Sequence, residues 1–197
     1  MNKKVGKMTL SMALAAALAF APAQAFAAPA TDISGHWAEK VITQWQEKGL
    51  ISGYEDGTFK PDNSVTRAEF VIMLNKALGF TQKGNVTFSD VSANAWYYDA
   101  VAIAVEAGYC AGYEDGTFKP NATITRAEAA VMIAKAKELT ANTEAADKFT
   151  DASRIPAWAR GSVGAVSAAG FMTGRTDGTF DATNTITRAE AVSSLDR

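Results

Sequence analysis

Three arginines stand at matching places in the chain: Arg67, Arg126 and Arg188, each inside the tetrapeptide Thr-Arg-Ala-Glu. A guanidinium presents a planar fork of donors that fits a carboxylate or a phosphate. The threonines Thr66, Thr125 and Thr187, with Glu69, Glu128 and Glu190 three residues on, form the Ser/Thr-x-x-Glu capping box that opens a helix. Val65, Ile124 and Ile186 hold the apolar staple position just before it. Local capping explains all of these residues except the arginine. A cation in the first turn faces the positive end of the helix dipole, a mismatch of up to about 1 kcal/mol. Beside free N-terminal amides, however, a guanidinium completes an anion receptor. Arg67, Arg126 and Arg188 are therefore the leading expected ligand contacts, and Arg67→Ala or Arg126→Ala is expected to weaken binding with little effect on thermal unfolding. The competing reading is an ion pair to a neighbouring repeat, with Asp32, Asp90 or Asp151 as the acid.

The elements that must position these arginines recur with them. Gly-Tyr-Glu-Asp-Gly-Thr-Phe-Lys-Pro begins at Gly53 and again at Gly112, and a looser copy begins at Gly174. Trp37, Trp96 and Trp158 each precede the loop glycine by 16 residues and the arginine by 30. The chain is thus three copies of a unit of roughly 60 residues, a supersecondary repeat. After each tryptophan runs a helical pattern that ends at Gly49, Gly108 or Gly170, where a left-handed cap calls for glycine. Its apolar face carries Trp37, Val41 and Trp45 in the first copy, Trp96, Val101, Ala104 and Val105 in the second, and Trp158, Val163 and Val166 in the third. The leading tryptophan is expected to be a core or interface residue first. Asp56-Gly57, Asp115-Gly116 and Asp177-Gly178 read as turns, and Phe59, Phe118 and Phe180 as plugs that tie the loop to the core.

Residues 1–27 read as a secretory signal peptide: Lys3, Lys4 and Lys7 precede an apolar run from Met8 to Pro22, followed by small residues around Ala25 and Ala27. The run is too short for a membrane span, which needs about 20 apolar residues. Without those lysines, 16 basic residues face 21 acidic ones, a net charge of −5 that argues against nucleic-acid binding. Cys110 is the only cysteine, so no internal disulfide can form, and its alignment with Ile51 and Met172 marks it as a small buried apolar side chain. A 60-residue unit is marginal alone, so the three copies are expected to share one core.

No catalytic set is repeated. His36, the single histidine, aligns with Ala95 and Ala157. The carboxylates Asp56, Asp115 and Asp177 are accounted for by turn formation, and no Cys/His cluster has zinc spacing. A calcium loop would need oxygen ligands where this chain has Ser52 and Tyr54, Ala111 and Tyr113, or Thr173 and Arg175. The chain is read as a non-enzyme with no cofactor and no metal.

Taken together, Asp-Ile or Asp-Val with its tryptophan, the Gly-Tyr-x-Asp-Gly-Thr-Phe loop and the Ile/Val-Thr-Arg-Ala-Glu box resemble the S-layer homology (SLH) domain, from about Thr31 to Arg197. The resemblance implies a mainly α fold, with three helix-loop-helix repeats at 31–82, 86–140 and 147–197 packed as a pseudo-threefold bundle with grooves between repeats. It implies a secreted module that anchors a surface protein non-covalently to a bacterial, Gram-positive cell wall, with secondary cell wall polysaccharide carrying pyruvate ketals as the partner. Self-assembly with other surface-layer subunits is the alternative. By family analogy the glycan contacts are Asp32, Trp37, Gly53 and Arg67 in copy one and Asp90, Trp96, Gly112 and Arg126 in copy two. Copy three supplies Asp151, Trp158, Gly174 and Arg188. Copy three departs by Arg175 for tyrosine and Asp181-Ala182 for Lys-Pro, and its final helix is expected to be short, making the site with Arg188 the least secure. The ending at Arg197 also suggests a piece of a longer surface protein.

Overall fold

The computed structural model describes residues 30–197, so the expected signal peptide lies outside the described residues. Among them the chain is helical, with α1 (Glu39–Glu47) and α2 (Arg67–Leu78) in the first repeat and α3 (Tyr98–Glu106) and α4 (Arg126–Ala136) in the second. The third holds α5 (Thr143–Ala146), α6 (Ala157–Ala168) and α7 (Arg188–Leu195). No helix there is long and apolar enough to cross a membrane.

All three capping boxes form, and each places an arginine as the first residue of α2, α4 or α7. Gly49, Gly108 and Gly170 end the outer helices with φ of 68°, 74° and 80°. α7 has 8 residues against 12 in α2 and 11 in α4, the shortening anticipated from the sequence. The short α5 and the 3-10 turn at Ala152–Arg154 were not anticipated. α5 packs on α6 at Gly164, where a Cβ would collide with the Asn142 carbonyl, so this contact requires a residue without a side chain.

The staple residues join the repeats head to tail. Val65 N–H donates to Ile186, Ile124 N–H to Val65 and Ile186 N–H to Ile124, each at 3.1 Å, which closes a ring of three backbone hydrogen bonds. Around that ring each inner helix packs on the outer helix of the following repeat: α2 on α3, α4 on α6, and α7 back on α1. Phe59, Phe118 and Phe180 are fully buried together with Val65, Ile124 and Ile186, giving the shared core that small repeats need. The last joint carries an extra bond, from Trp45 Nε1–H to Asp196 Oδ1 at 2.8 Å.

The arginines belong to these joints. Arg67 Nε donates to the Phe118 carbonyl (2.8 Å) and Nη1 to Glu128 Oε1 (3.0 Å). Arg188 makes the same pair of bonds to Phe59 and Glu69, and Arg126 to Phe180, with Glu190 at 3.5 Å. The neighbouring amides are occupied as well: Arg67 and Ala68 N–H donate to the Ala122 and Pro120 carbonyls, with equivalent bonds from the other two helices. The free helix amides invoked for an anion receptor therefore do not exist here, because the following repeat's loop has filled them. The ion pair is with the capping-box glutamate, not with Asp32, Asp90 or Asp151. Only 4%, 4% and 5% of Arg67, Arg126 and Arg188 remain exposed.

The three aspartates serve another strained point. Lys60, Lys119 and Asp181 adopt left-handed φ of 56°, 57° and 62°, which costs a non-glycine residue about 1 kcal/mol or more. Asp32 accepts from Phe59 N–H on one oxygen and Lys60 N–H on the other, both at 2.7 Å. Asp90 and Asp151 hold Phe118 with Lys119 and Phe180 with Asp181 in the same way. Burial pushes the Asp32 carboxyl up, but the Phe59 and Lys60 amides outweigh it and hold the group below its usual 3.8.

Two outcomes are expected from these joints. Arg67→Ala strands Glu128 and should lower stability by about 3 kcal/mol, a drop in Tm of about 10 °C in a calorimetric scan. An unchanged Tm would contradict the joint. The pH dependence follows from carboxyls that sit below their ordinary values when folded. Glu128 is one: burial raises it, while Tyr113, the Thr125 amide and hydroxyl, and Arg67 bring it below 4.5. Asp56, held by the Thr58 hydroxyl and amide, falls to about 2. The unfolded chain binds protons first, so this stabilisation is complete above about pH 5 and is lost as pH falls toward about 2. Urea midpoints across that range should decline, and less steeply in Glu128→Gln.

Candidate functional site

Each Gly-x-x-Asp-Gly-Thr segment folds back on itself. Asp56 Oδ1 accepts from Thr58 N–H (3.0 Å) and from its hydroxyl, and Tyr54 N–H donates to the Thr58 carbonyl at 2.7 Å. Asp115 with Thr117 and Asp177 with Thr179 repeat the turn. A Cβ on Gly53 would stand 2.7 Å from the Thr58 carbonyl oxygen, and one on Gly112 or Gly174 2.8 Å from that of Thr117 or Thr179. At Gly112 and Gly174 the rings of Phe88 and Phe149 stand closer still, so these glycines are required by the loop's own returning backbone and, in two copies, by an aromatic ring packed against it.

The tryptophans differ from expectation. Trp37, Trp96 and Trp158 are 65%, 68% and 62% exposed, whereas the residues just after them, Ala38, Tyr97 and Ala159, are buried. Trp37 and Trp96 stand two residues before α1 and α3, and the core-facing side of each outer helix begins one residue later than the sequence pattern suggested. Three large apolar side chains thus remain in solvent at equivalent places.

Each tryptophan overlooks a groove assembled from all three repeats. The Arg67 groove, about 610 Å³, takes its arginine from the first repeat, Gly112, Tyr113 and Glu128 from the second, and Trp158 from the third. The Arg126 groove, about 490 Å³, joins Arg126, Gly174, Arg175, Glu190 and Trp37. The Arg188 groove, about 250 Å³, joins Arg188, Gly53, Tyr54, Glu69 and Trp96. The expected grouping by copy is therefore replaced by a cyclic one. Arg188 serves the first repeat's loop, and the departures of copy three fall in the Arg126 groove instead. Asp32, Asp90 and Asp151 line none of the three and act through the loops they clamp.

Inside a groove the guanidinium forms part of the floor. Arg67 lies 4.5 Å from the Tyr113 ring centroid and 5.1 Å from that of Phe118, and Arg188 lies 4.8 Å from Tyr54 and 4.6 Å from Phe59. The Tyr113 hydroxyl donates to Glu128 Oε1; burial first, then this carboxylate, pushes its pKa up to about 12. A basic residue nine places after each arginine, Lys76, Lys135 or Arg197, reaches the same groove as that position's helix. That spacing was readable in the sequence and was missed. Cys110 lies in the Arg67 groove lining, and burial raises its thiol pKa. His36 accepts Ala38 N–H on Nδ1 and meets Asp62 through Nε2, a local role at the start of α1.

Residues 31–71, 87–130 and 148–192 match the S-layer homology domain family. The Surface-layer 125 kDa protein of Lysinibacillus sphaericus is 38% identical over 128 residues, covering 65% of this chain and 11% of that protein. The Cellulosome-anchoring protein of Acetivibrio thermocellus is 34% identical over 155 residues, 75% of this chain and 35% of the relative. The Middle cell wall protein of Brevibacillus brevis is 33% identical over 142 residues, 68% and 13% respectively. The chain spans from about a tenth to about a third of the length of these relatives. Such relatives set it at the bacterial cell wall or surface layer. With all three of its repeats matched, the chain belongs to the S-layer homology family.

Proposed function

We propose that this chain anchors a surface protein non-covalently to the bacterial cell wall, of Gram-positive type, by binding secondary cell wall polysaccharide in its three grooves. The observation that carries the reading is the trio of exposed tryptophans, each set beside a groove with a guanidinium in its floor. An indole face suits the apolar face of a sugar ring. A basic residue, Lys135 or Lys76 on an inner helix or Arg197 just past the end of α7, supplies an accessible positive charge for an acidic substituent such as a pyruvate ketal. The buried arginines, already paired, act mainly by holding loop, glutamate and floor in place. Gly53, Gly112 and Gly174 shape the wall, and Asp32, Asp90 and Asp151 fix the loops behind it. Three grooves on one body bring avidity, so modest single sites suffice for firm retention. No catalytic step enters this reading.

The deciding measurement is co-sedimentation of the mature chain with purified sacculi before and after chemical removal of the secondary polymer. Retention should be lost with the polymer; equal retention on bare peptidoglycan would sink the proposal, and concentration-dependent self-association without polymer would favour a protein-assembly role. Trp37→Ala, Trp96→Ala and Trp158→Ala should each weaken binding of a polymer fragment at the affected groove by about tenfold. Because these side chains are exposed, Tm should stay within about 1–2 °C of the parent. A large loss of Tm with unchanged affinity would assign the tryptophans to the core.

A further inference from the structure

The three grooves are not chemical equals, and the difference is confined to one of them. The inner-helix wall of the Arg67 groove is Val131 and Met132, and that of the Arg188 groove is Ile72 and Met73. At the same helical positions the Arg126 groove has Ser193 and Ser194. Ser193 Oγ is buried and has no hydrogen-bond partner among the described residues. A buried hydroxyl of that kind is costly unless something else meets it.

The loop side changes too. Tyr54 and Tyr113 cover the guanidiniums of Arg188 and Arg67, whereas copy three presents Arg175. Arg175 Nη1 donates to Glu190 Oε1 at 3.0 Å, and Nε to Asp181 Oδ2. Arg126 is left 3.5 Å from the shared glutamate and turns its Nη2 to the Thr173 carbonyl at 3.1 Å. Asp181 draws on the Nε edge, while Nη2 of Arg175 makes no hydrogen bond among the described residues. This groove therefore offers an unused guanidinium donor and a wall of two small serines where the other two offer a phenol and a pair of apolar side chains.

Resting on the glycan-binding reading above, we propose that Arg175 and Ser193 are specificity-determining residues that divide the grooves into two classes. The Arg67 and Arg188 grooves select a sugar unit bearing a methyl substituent, an acetamido or ketal methyl, which covers Val131 and Met132 or Ile72 and Met73. The Arg126 groove selects a carboxylate-bearing unit without that methyl, of the hexuronic acid class, whose carboxylate takes up Arg175 Nη2 beside a wall where Ser193 and Ser194 leave no apolar side chain for a methyl to cover. A single polymer strand of mixed composition would then be read in register around the molecule.

The indole N–H signals of the mature, ¹⁵N-labelled chain give one reporter per groove: Trp158 for Arg67, Trp37 for Arg126 and Trp96 for Arg188, with the buried, Asp196-bound Trp45 as internal control. Two probes are titrated, methyl glucuronoside and the methyl glycoside of a pyruvylated N-acetylhexosamine. Glucuronoside should move Trp37 at about tenfold lower concentration than Trp96 or Trp158. The pyruvylated probe should reverse the order by about fourfold, the effect of one buried methyl. Arg175→Tyr, which installs the residue of the other copies, and Ser193→Val should each abolish the preference at Trp37. Equal midpoints at all three indoles for both probes, or a preference that survives both variants, would overturn the division while leaving glycan binding intact. If neither probe moves any of the three and sacculi retention is also independent of polymer, the glycan reading itself fails.

Discussion

The carboxylate of Glu128 divides its two oxygens between repeats. Oε2 accepts from the Thr125 amide and hydroxyl and closes the cap of its own helix, while Oε1 accepts Nη1 of Arg67 from the preceding repeat. Glu69 treats Arg188 in the same way, and Glu190 meets Arg126 at longer range. A buried ion pair of this kind gains little by itself, since desolvation consumes most of the Coulomb energy. It persists here because the guanidinium also has a backbone carbonyl and an aromatic ring to meet. The dipole mismatch disappears for a related reason: the adjacent helix amides already face carbonyls of the next loop. The cation stands near partial negative charge, not near bare amides.

From that joint follows the exchange of roles between arginine and tryptophan. A side chain committed to three partners at a repeat boundary is withdrawn from solvent, and what remains outside is the indole near the start of the outer helix. Exposed and buried members of the same motif are thereby separated. The Asp32, Asp90 and Asp151 clamps belong to the structural side, as do the Asp-Gly turns and the glycines crossed by their own return strands.

Much of this was legible in the residues alone. Capping boxes, helix-ending glycines, Asp-Gly turns and phenylalanine plugs are local features, and local patterns reported them faithfully. Family membership was carried by the same motifs. What sequence could not supply was which repeat each side chain serves, because periodicity is blind to a cyclic permutation. Arg67 looked like a partner of Trp37 and Gly53, its neighbours in the chain, yet it lies with Gly112 and Trp158. The burial of Trp37 was misjudged by one residue of register, since Ala38 and Ile42, not Trp37 and Val41, turn inward. α5 carries too few residues to show a period at all.

The grooves are each built from three sources, with arginine, loop and indole drawn from successive repeats and the last handing on to the first. The grooves of such a body are indivisible. Deleting any one copy would strip one wall from every groove instead of erasing one groove, so the heritable module is the triplet. A single substitution, by contrast, stays with the groove that its own segment lines, as Arg175 and Ser193 of the third copy alter the Arg126 groove alone.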